Sequence, residues 1–337
     1  MVAIPNSMRA VQITAYDGAP ESIRVAAVPV PQPGQGQVLV RVAASPINPS
    51  DLMFISGLYG FKKPLPAVPG FEGSGTVVAA GSGFMPRMLM GRRVACAAAD
   101  ASIAGGMWAE YIVTGAQFCI PLRKNVEMDQ AAMMLVNPLT AWALVEEARR
   151  GGHKAMVQTA AASALGRMII RLAKRSGIPL INVVRRAEQV ELLRSMGAEH
   201  VLNSGTADFD SALQDLCHRL GATMGIDAVA GETTLRVMQA QPRGSRMLVY
   251  GALSLEPIQA DPRSLIFEEK RLEGFWLSAW LRRKNLLQQF RISGKVQELL
   301  KSDLRSEVQA RLPLHEVARA LQQYSQHMTA GKVLIVP

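Results

Sequence analysis

The run Met156-Val-Gln-Thr-Ala-Ala-Ala-Ser-Ala-Leu-Gly166, continued by Arg-Met-Ile-Ile-Arg-Leu-Ala-Lys-Arg-Ser-Gly177, constrains the fold more than any other stretch of the chain. It reads as a buried strand, a tight turn of small residues and an amphipathic helix. Leu165, Met168, Ile169 and Leu172 recur at helical spacing. Gly177 stands where a helix C-cap favours a left-handed residue. A strand that enters a helix through residues with almost no side chain leaves backbone N–H groups pointing outward. A pyrophosphate can then approach them closely. This predicts a nicotinamide-dependent oxidoreductase built around the turn.

The flanking sequence divides in two. From Asp129 onward, helical patterns alternate with short apolar strands at Met156–Thr159, Leu180–Val184, His200–Leu202, Gly225–Val229, Arg246–Tyr250 and Leu272–Leu277. That alternation predicts βαβ units and a parallel sheet. Up to about residue 125 the pattern is β-rich, with strands at Arg9–Thr14, Ser22–Val25, Gln37–Ala43, Gly73–Gly81, Arg93–Ala97 and Trp108–Val113. Pro46–Met53 is expected to open a short helix with Ser50 or Asp51 near its N-cap. Leu314–Met328 reads as a helix with Val317, Leu321 and Tyr324 on one side, followed by a closing strand from Lys332.

Composition narrows the function. At 337 residues, 49% apolar and 19% charged, the chain fits two soluble domains. No apolar run is long enough to span a bilayer. No basic segment with an apolar core precedes Met8, so a cytoplasmic location is expected. Cys96, Cys119 and Cys217 are too dispersed for a disulfide framework or a zinc cluster. Residues 1–125 hold ten basic and six acidic side chains, 126–270 sixteen of each, and 271–337 eleven and five. The excess of +10 therefore lies outside residues 126–270, the presumed nucleotide-binding core, as an attraction for an acidic substrate or partner, or as a solvated surface. No basic stretch is interleaved with stacking aromatics, so nucleic acid is not an expected partner.

The turn is Ala160-x-x-Ser163-x-x-Gly166, with one glycine of the dinucleotide fingerprint in place. About 20 residues further on, an NAD-binding fold carries an acidic residue for the ribose hydroxyls. Here Arg185-Arg186 follows the strand instead. Guanidinium groups pair with a 2′-phosphate where a carboxylate would repel it, so NADPH is expected over NADH. The alternative is a solvated arginine pair at a strand end.

At this level of detail the chain resembles the medium-chain dehydrogenase/reductase superfamily, and within it the zinc-free 2-enoyl thioester reductases of the mitochondrial type. The resemblance rests on Ile47-Asn-Pro-Ser-Asp51, Gly57-Leu-Tyr-Gly60, Leu65-Pro-Ala-Val-Pro-Gly-Phe-Glu-Gly73, Val136-Asn-Pro-Leu-Thr-Ala141, Ile181-Asn-Val-Val-Arg185 and Gly274-Phe-Trp-Leu-Ser-Ala-Trp280. It implies an α/β chain: a GroES-like β-barrel catalytic domain over 1–125, completed by 310–337, and a doubly wound Rossmann domain over 126–309. A homodimer is implied as well. Zinc relatives use an early Cys and a Gly-His-Glu motif. Here those places read Asn-Pro-Ser-Asp and Gly70-Phe71-Glu72, and Glu72 alone cannot supply a three-ligand site. Zinc catalysis, and with it alcohol oxidation, is not expected.

Without a metal, reduction of a conjugated C=C bond needs hydride at the β-carbon and a proton at the α-carbon. Tyr59 matches the family's proton-donor tyrosine; a phenol with pKa of about 10 stays protonated at neutral pH. Its alternative is an aromatic that only lines the pocket. The resemblance further assigns the pyrophosphate to Ala162, Ser163, Ala164 and Leu165 with Gly166, and the 2′-phosphate to Arg185 and Arg186. Asn137 would face the nicotinamide. Tyr250, Gly251, Ala252 and Leu253, with Phe275, Trp276 and Leu277, would cradle ribose and nicotinamide, and Lys332 would reach in from the closing strand. Asn48 and Trp276 are implied substrate contacts. Ala164 adds a methyl where relatives carry glycine, so weaker NADPH binding is expected. Arg282-Arg-Lys284 is either a dock for an acidic acyl carrier protein or CoA phosphates, or a solvated loop. The leading expectation is an NADPH-dependent reductase of trans-2-enoyl thioesters. A quinone or small-enone reductase and a non-enzymatic NADPH-binding protein remain alternatives.

Overall fold

The computed structural model describes residues 3–98 and 105–337. The chain divides into two compact units, 1–136 with 293–337, and 137–292. Residues 126–136 and 293–309, expected with the nucleotide-binding part, group with the first unit.

The second unit is a six-stranded sheet in the order His200–Asn203, Leu180–Val184, Met156–Gln158, Met224–Asp227, Arg246–Val249, Arg271–Gly274. Every pairing is parallel. Numbered within the sheet this is the order 3-2-1-4-5-6 of a doubly wound dinucleotide-binding fold. Strands buried on both faces need no polar alternation, which is why they read as short apolar runs. On one face Val157, Ile181, Val183 and Met247 pack with Phe209, Leu213 and Cys217 of helix Phe209–Leu220 and with Val237 and Met238 of helix Glu232–Ala240. The opposite face carries a buried polar pair: Gln158 Nε2 donates to Asn182 Oδ1 (2.7 Å) and to the Gly166 carbonyl (3.1 Å). That pair ties two central strands to helix Ala164–Arg175. The strand expected at 272–277 ends at Gly274; Trp276 caps a helix over Leu277–Arg282.

The first unit centres on the ten-residue strand Gln37–Pro46. It pairs with Glu72–Ala80, Tyr111–Gly115 and Lys332–Val336, all antiparallel. Register shifts at Leu39/Val40 and Val42/Ala44 bend it, as barrel corners require. Val308–Pro313 joins in parallel beside Lys332–Val336, with helix Val317–Gln326 as the crossover. A separate ribbon pairs Ser7–Ile13 with Ile23–Pro29. The core gathers Val11, Ile13, Leu39, Phe54, Trp108, Leu314, Val333 and Ile335. The short helix runs Pro49–Ile55, and its cap is Asn48 rather than Ser50 or Asp51. Asp51 serves as the reciprocal acceptor three residues on, taking the Asn48 N–H at 2.8 Å.

Trp108 is fully buried and its ring lies against Gly70, whose φ is +95°. A Cβ there would approach Trp108 Cδ1 to 2.6 Å. Gly36, at φ +74°, has nothing within 4 Å of a Cβ. Gly36→Ala is therefore expected to cost only the left-handed penalty of about 1–2 kcal/mol. Gly70→Ala adds an overlap worth about 1–3 kcal/mol more. Denaturant unfolding of both variants checks this; equal losses would remove the steric argument.

Candidate functional site

The turn is pinned from both neighbouring strands. Thr159 N–H donates to the Ile226 carbonyl (3.1 Å), and Ala161 N–H to the Val183 carbonyl (3.2 Å). Between them Ala160 takes φ +48°, the left-handed conformation a glycine would adopt at no cost. Ser163 caps helix Ala164–Arg175, its Oγ accepting the Gly166 N–H at 3.0 Å. These bonds narrow what Ser163 and Gly166 can offer a ligand. Ser163 N–H donates to the Ala160 carbonyl (2.9 Å) and its Oγ accepts the cap bond, so its hydroxyl hydrogen is what it can offer a phosphate. Gly166 has its N–H taken, and a Cβ there would lie 2.4 Å from the Ala161 carbonyl oxygen. Its missing side chain lets helix and turn pack closely. Ala164 and Leu165, the first two helical residues, keep N–H groups without an intrahelical acceptor.

Arg185 and Arg186 follow strand Leu180–Val184 and are exposed. Arg186 caps the next helix and pairs with Glu188 at 2.9 Å, a surface ion pair of little strength. The Arg185 guanidinium has no partner among the described residues; its backbone N–H donates to Gln189 Oε1 (3.2 Å).

The far strands end in the other expected contacts. Tyr250 N–H donates to the Asp227 carbonyl (2.8 Å). Its hydroxyl is buried with no hydrogen-bond partner among the described residues. Burial first, and the Asp227 charge second, push that phenol well above its usual range. A Cβ on Gly251 would meet the Ala228 carbonyl oxygen at 2.8 Å, so the backbone passes there without a side chain. Leu253 is anchored by its N–H on the same carbonyl (3.0 Å) and leaves its side chain exposed. Phe275 N–H donates to the Val249 carbonyl (2.8 Å); Trp276 is half exposed beneath the Arg282 guanidinium, 5.1 Å from the ring centroid. Outward amides, an unpartnered guanidinium, an orphaned buried hydroxyl and a side-chain-free passage all stand at the C-terminal ends of parallel strands. A dinucleotide fits such a set. Asn137 is buried as the first residue of helix Asn137–Arg150.

In the first unit the structure redirects two expectations. Asn48, expected to touch substrate, is wholly buried. Its Nδ2 donates to Glu72 Oε1 (2.9 Å) and its Oδ1 accepts the Lys332 ammonium. Lys332, expected at the cofactor, is 2% exposed and also donates to the Ile47 carbonyl (3.3 Å) and Tyr324 Oη (3.4 Å). Glu72 Oε2 accepts the N–H groups of Leu135 (2.8 Å) and Val136 (2.9 Å). Asp51 Oδ1 accepts the Phe71 N–H (3.1 Å). Two carboxylates, one ammonium and one phenol are thus buried together. Burial dominates each: it lifts Asp51 to about 7 and raises Glu72, and it lowers Lys332 to about 8 against the pull of both carboxylates.

Asp51, Glu72 and Tyr324 were not expected in a shared cluster. The available signal was a charged residue opening each of two buried strands, Glu72 and Lys332. Tyr59 stacks on Phe71 (centroids 4.5 Å, planes 33° apart) and meets Phe61 edge-on at 5.2 Å. The aromatic contacts hold its ring on one side. Among the described residues no group of three or more His, Cys, Asp or Glu side chains is placed to hold a metal ion.

The buried cluster has a pH signature. Asp51, raised on folding, favours the folded state below its unfolded pKa near ~4 and loses that contribution as pH climbs through about 7. Lys332→Met removes the cation that restrains this rise. The variant is expected to lose about 3 kcal/mol at pH 7.5, in line with breaking a buried pair, and clearly less at pH 5, where the carboxylates can take up protons. Urea unfolding at both pH values measures it. A loss independent of pH would show that the cluster's charges are not what Lys332 balances.

Two family models match successive parts of the chain: the alcohol dehydrogenase GroES-like domain over residues 34–124 and zinc-binding dehydrogenase over 164–291. The mitochondrial enoyl-[acyl-carrier-protein] reductase of Arabidopsis thaliana is 34% identical over 273 residues, 78% of this chain and 71% of that one. Its Homo sapiens counterpart is 32% identical over 253 residues, 72% and 65% of the two chains. Among solved structures, a Mesorhizobium loti protein assigned as an NADPH:quinone reductase matches with a TM-score of 0.91 at 37% identity, covering 100% of both chains. With a 3-2-1-4-5-6 parallel sheet matching one model and a bent antiparallel sheet matching the other, the chain belongs to the medium-chain dehydrogenase/reductase superfamily of oxidoreductases.

Proposed function

We propose that this protein is an NADPH-dependent reductase of C=C bonds conjugated to a thioester carbonyl, acting on trans-2-enoyl groups carried by CoA or an acyl carrier protein. The observation that carries the cofactor is the set of unsatisfied groups at the strand ends: the Ala164 and Leu165 amides, the Arg185 guanidinium and the Tyr250 hydroxyl. The relatives named as enoyl-[acyl-carrier-protein] reductases support the thioester. A bound nicotinamide supplies the hydride for the β-carbon.

The chain's own residues bind, orient and protonate. Ala162, Ala164 and Leu165 hold the pyrophosphate through backbone amides at a helix N-terminus, and Ser163 adds its hydroxyl. Arg185 takes the 2′-phosphate, joined by Arg186 on release from its weak pair with Glu188. Tyr250 gives its buried hydroxyl a partner in the ribose or carboxamide. Gly251 to Leu253 and Phe275 to Leu277 line the same end of the sheet, with Asn137 assigned to the nicotinamide and Trp276 to the substrate. Tyr59 donates the proton to the α-carbon, its ring held by Phe61 and Phe71 so that little orientational freedom is lost at reaction. Neither Asn48 nor Lys332 belongs to this set, because both are occupied in the buried cluster.

A second reading, reduction of quinones or small enones, is favoured by the full-length likeness to the Mesorhizobium loti protein. We also read the enzyme as a homodimer, since strand Arg271–Gly274 is a sheet edge and Ile266 and Phe267 just before it are exposed. No helix among the described residues is long and apolar enough to cross a membrane, and the cytoplasm is its proposed location.

NADPH oxidation with crotonyl-CoA, a longer enoyl-CoA and a quinone, side by side, separates the readings; turnover of the quinone alone would discard the thioester. Arg185→Ala is expected to raise the KM for NADPH about tenfold and leave NADH unaffected, in keeping with one lost charge-assisted contact. Tyr59→Phe is expected to lower kcat by about 10²–10⁴ while the NADPH Kd stays within about twofold. Undiminished turnover would assign the proton to another group.

A further inference from the structure

One face of the second unit joins exposed apolar side chains to a run of basic ones. Helix Leu286–Leu299 opens on a reciprocal cap: Gln288 N–H donates to Asn285 Oδ1 (2.9 Å) and Asn285 N–H to Gln288 Oε1 (3.0 Å). Gln289 Nε2 reaches back to the carbonyls of Lys284 (2.9 Å) and Leu281 (3.2 Å). Two bonds therefore close the first turn and two more tie it to the end of helix Leu277–Arg282 and the residues just after it. What the turn presents is apolar: Leu286, Leu287 and Phe290 are 74%, 57% and 78% exposed. Their i, i+1, i+4 spacing places them on one side of the helix. Large apolar side chains grouped on a rigid, uncovered turn mark an interaction site more often than scattered ones do.

The segment that carries them is basic, and the carboxylates that feel it, Glu147 for Lys284 and Glu273 for Arg283, are each already ion-paired with Arg246. Between Gly274 and Gln297 the chain carries five basic residues and no acidic one. Arg282, Arg283 and Arg291 are exposed. Lys284 lies 4.4 Å from the centroid of the Trp280 ring and Arg282 5.1 Å from that of Trp276, contacts that orient both cations without neutralising them. The helix N-terminus adds its own positive end.

We propose that this face docks an acidic carrier protein: carboxylates of the carrier meet the arginines, and its apolar side chains cover Leu286, Leu287 and Phe290. The proposal rests on the thioester reading above and extends it from the reacting group to the protein that presents it. A second copy of this chain is a poor occupant, because an isologous contact would set the same basic run against itself. A CoA thioester offers phosphates but no apolar protein surface, so it gains nothing from Phe290. The two substrate forms are therefore expected to part company.

The test is a titration of unacylated acyl carrier protein into the full-length enzyme, together with steady-state kinetics on carrier-linked and CoA-linked forms of one enoyl group. Phe290→Ala and the pair Arg283→Glu with Arg291→Glu are each expected to weaken carrier binding at least about tenfold. The KM for the carrier-linked substrate should rise to match, while Phe290→Ala leaves the CoA-linked kcat and KM within about twofold. Wild-type binding should also weaken as salt is raised from 0.05 to 0.5 M, on the order of a Debye-screened contact. Carrier binding that is absent in the wild type, or unchanged in both variants, overturns the proposal. So does a variant whose only effect is lost self-association or lost binding to anionic phosphatidylglycerol vesicles. The titration needs no turnover, so a wild type that binds carrier but reduces neither thioester refutes the functional reading and leaves the docking face standing.

Discussion

The Asp227 carboxylate is the interaction on which the nucleotide end of the sheet depends. It is fully buried and accepts the hydroxyls of Thr159 (2.5 Å) and Thr234 (2.6 Å) and the N–H groups of Val229 (2.8 Å) and Ala230 (3.1 Å). Thr159 in turn accepts the Ala228 N–H at 2.9 Å. One side chain thereby holds the start of the phosphate turn and the loop after strand Met224–Asp227, and it supports Ala230 and Gly231 at φ of 66° and 61°. Its own carbonyl anchors Tyr250. Four charge-assisted bonds answer the desolvation of the carboxylate, so the strand ends are held in place before any ligand arrives. Preorganisation of this kind lowers the ordering cost of binding.

The first unit solves a similar problem with less complete compensation. Asn48 bridges a buried ammonium and a buried carboxylate, and Asp51 adds a second carboxylate without a cation of its own. Burial wins over attraction at Asp51, Glu72 and Lys332 alike, each moved toward its neutral form. A cluster of that kind contributes little net stability compared with apolar packing, yet losing one partner is expensive. It does fix geometry: the short helix, strand Glu72–Ala80, the closing strand and the backbone at Leu135 and Val136 all meet in it. Specificity of arrangement is the stronger reading of its role.

What the sequence disclosed follows the range of the forces involved. Strands buried on both faces announce themselves as apolar runs, and the arginines after Leu180–Val184 are placed by counting, so the sheet and the exposed arginine pair at its strand end were legible. The fate of Asn48 and Lys332 was not, because their bond joins residues 284 apart and leaves no local pattern. Phe275 to Leu277 read as strand because aromatic and apolar residues favour both states. Only the ladder shows that pairing stops after the Phe275 N–H and that Trp276 becomes a cap. Gly166 was recognisable as essential; whether its missing side chain serves a phosphate or the Ala161 carbonyl needed coordinates.

The same distinction settles how a turn of methyl groups can replace a glycine-rich one. The first glycine of the fingerprint supplies a left-handed conformation, and Ala160 adopts it here at a penalty of about 1–2 kcal/mol. The flanking amides of Thr159, Ala161 and Ser163, each bonded to a carbonyl of the sheet or the turn, hold that conformation against the penalty. The last glycine serves packing and is retained. What a methyl at Ala164 changes is the approach at the head of the helix, where two amides remain for an anion. A turn that offers less at the pyrophosphate shifts the share of binding toward the ends of the dinucleotide. Those ends are where this chain places an unpartnered guanidinium on one side and an orphaned hydroxyl on the other. On the proposed NADPH reading, recognition of the cofactor depends more on Arg185 and Tyr250 than on the Ala160–Gly166 turn.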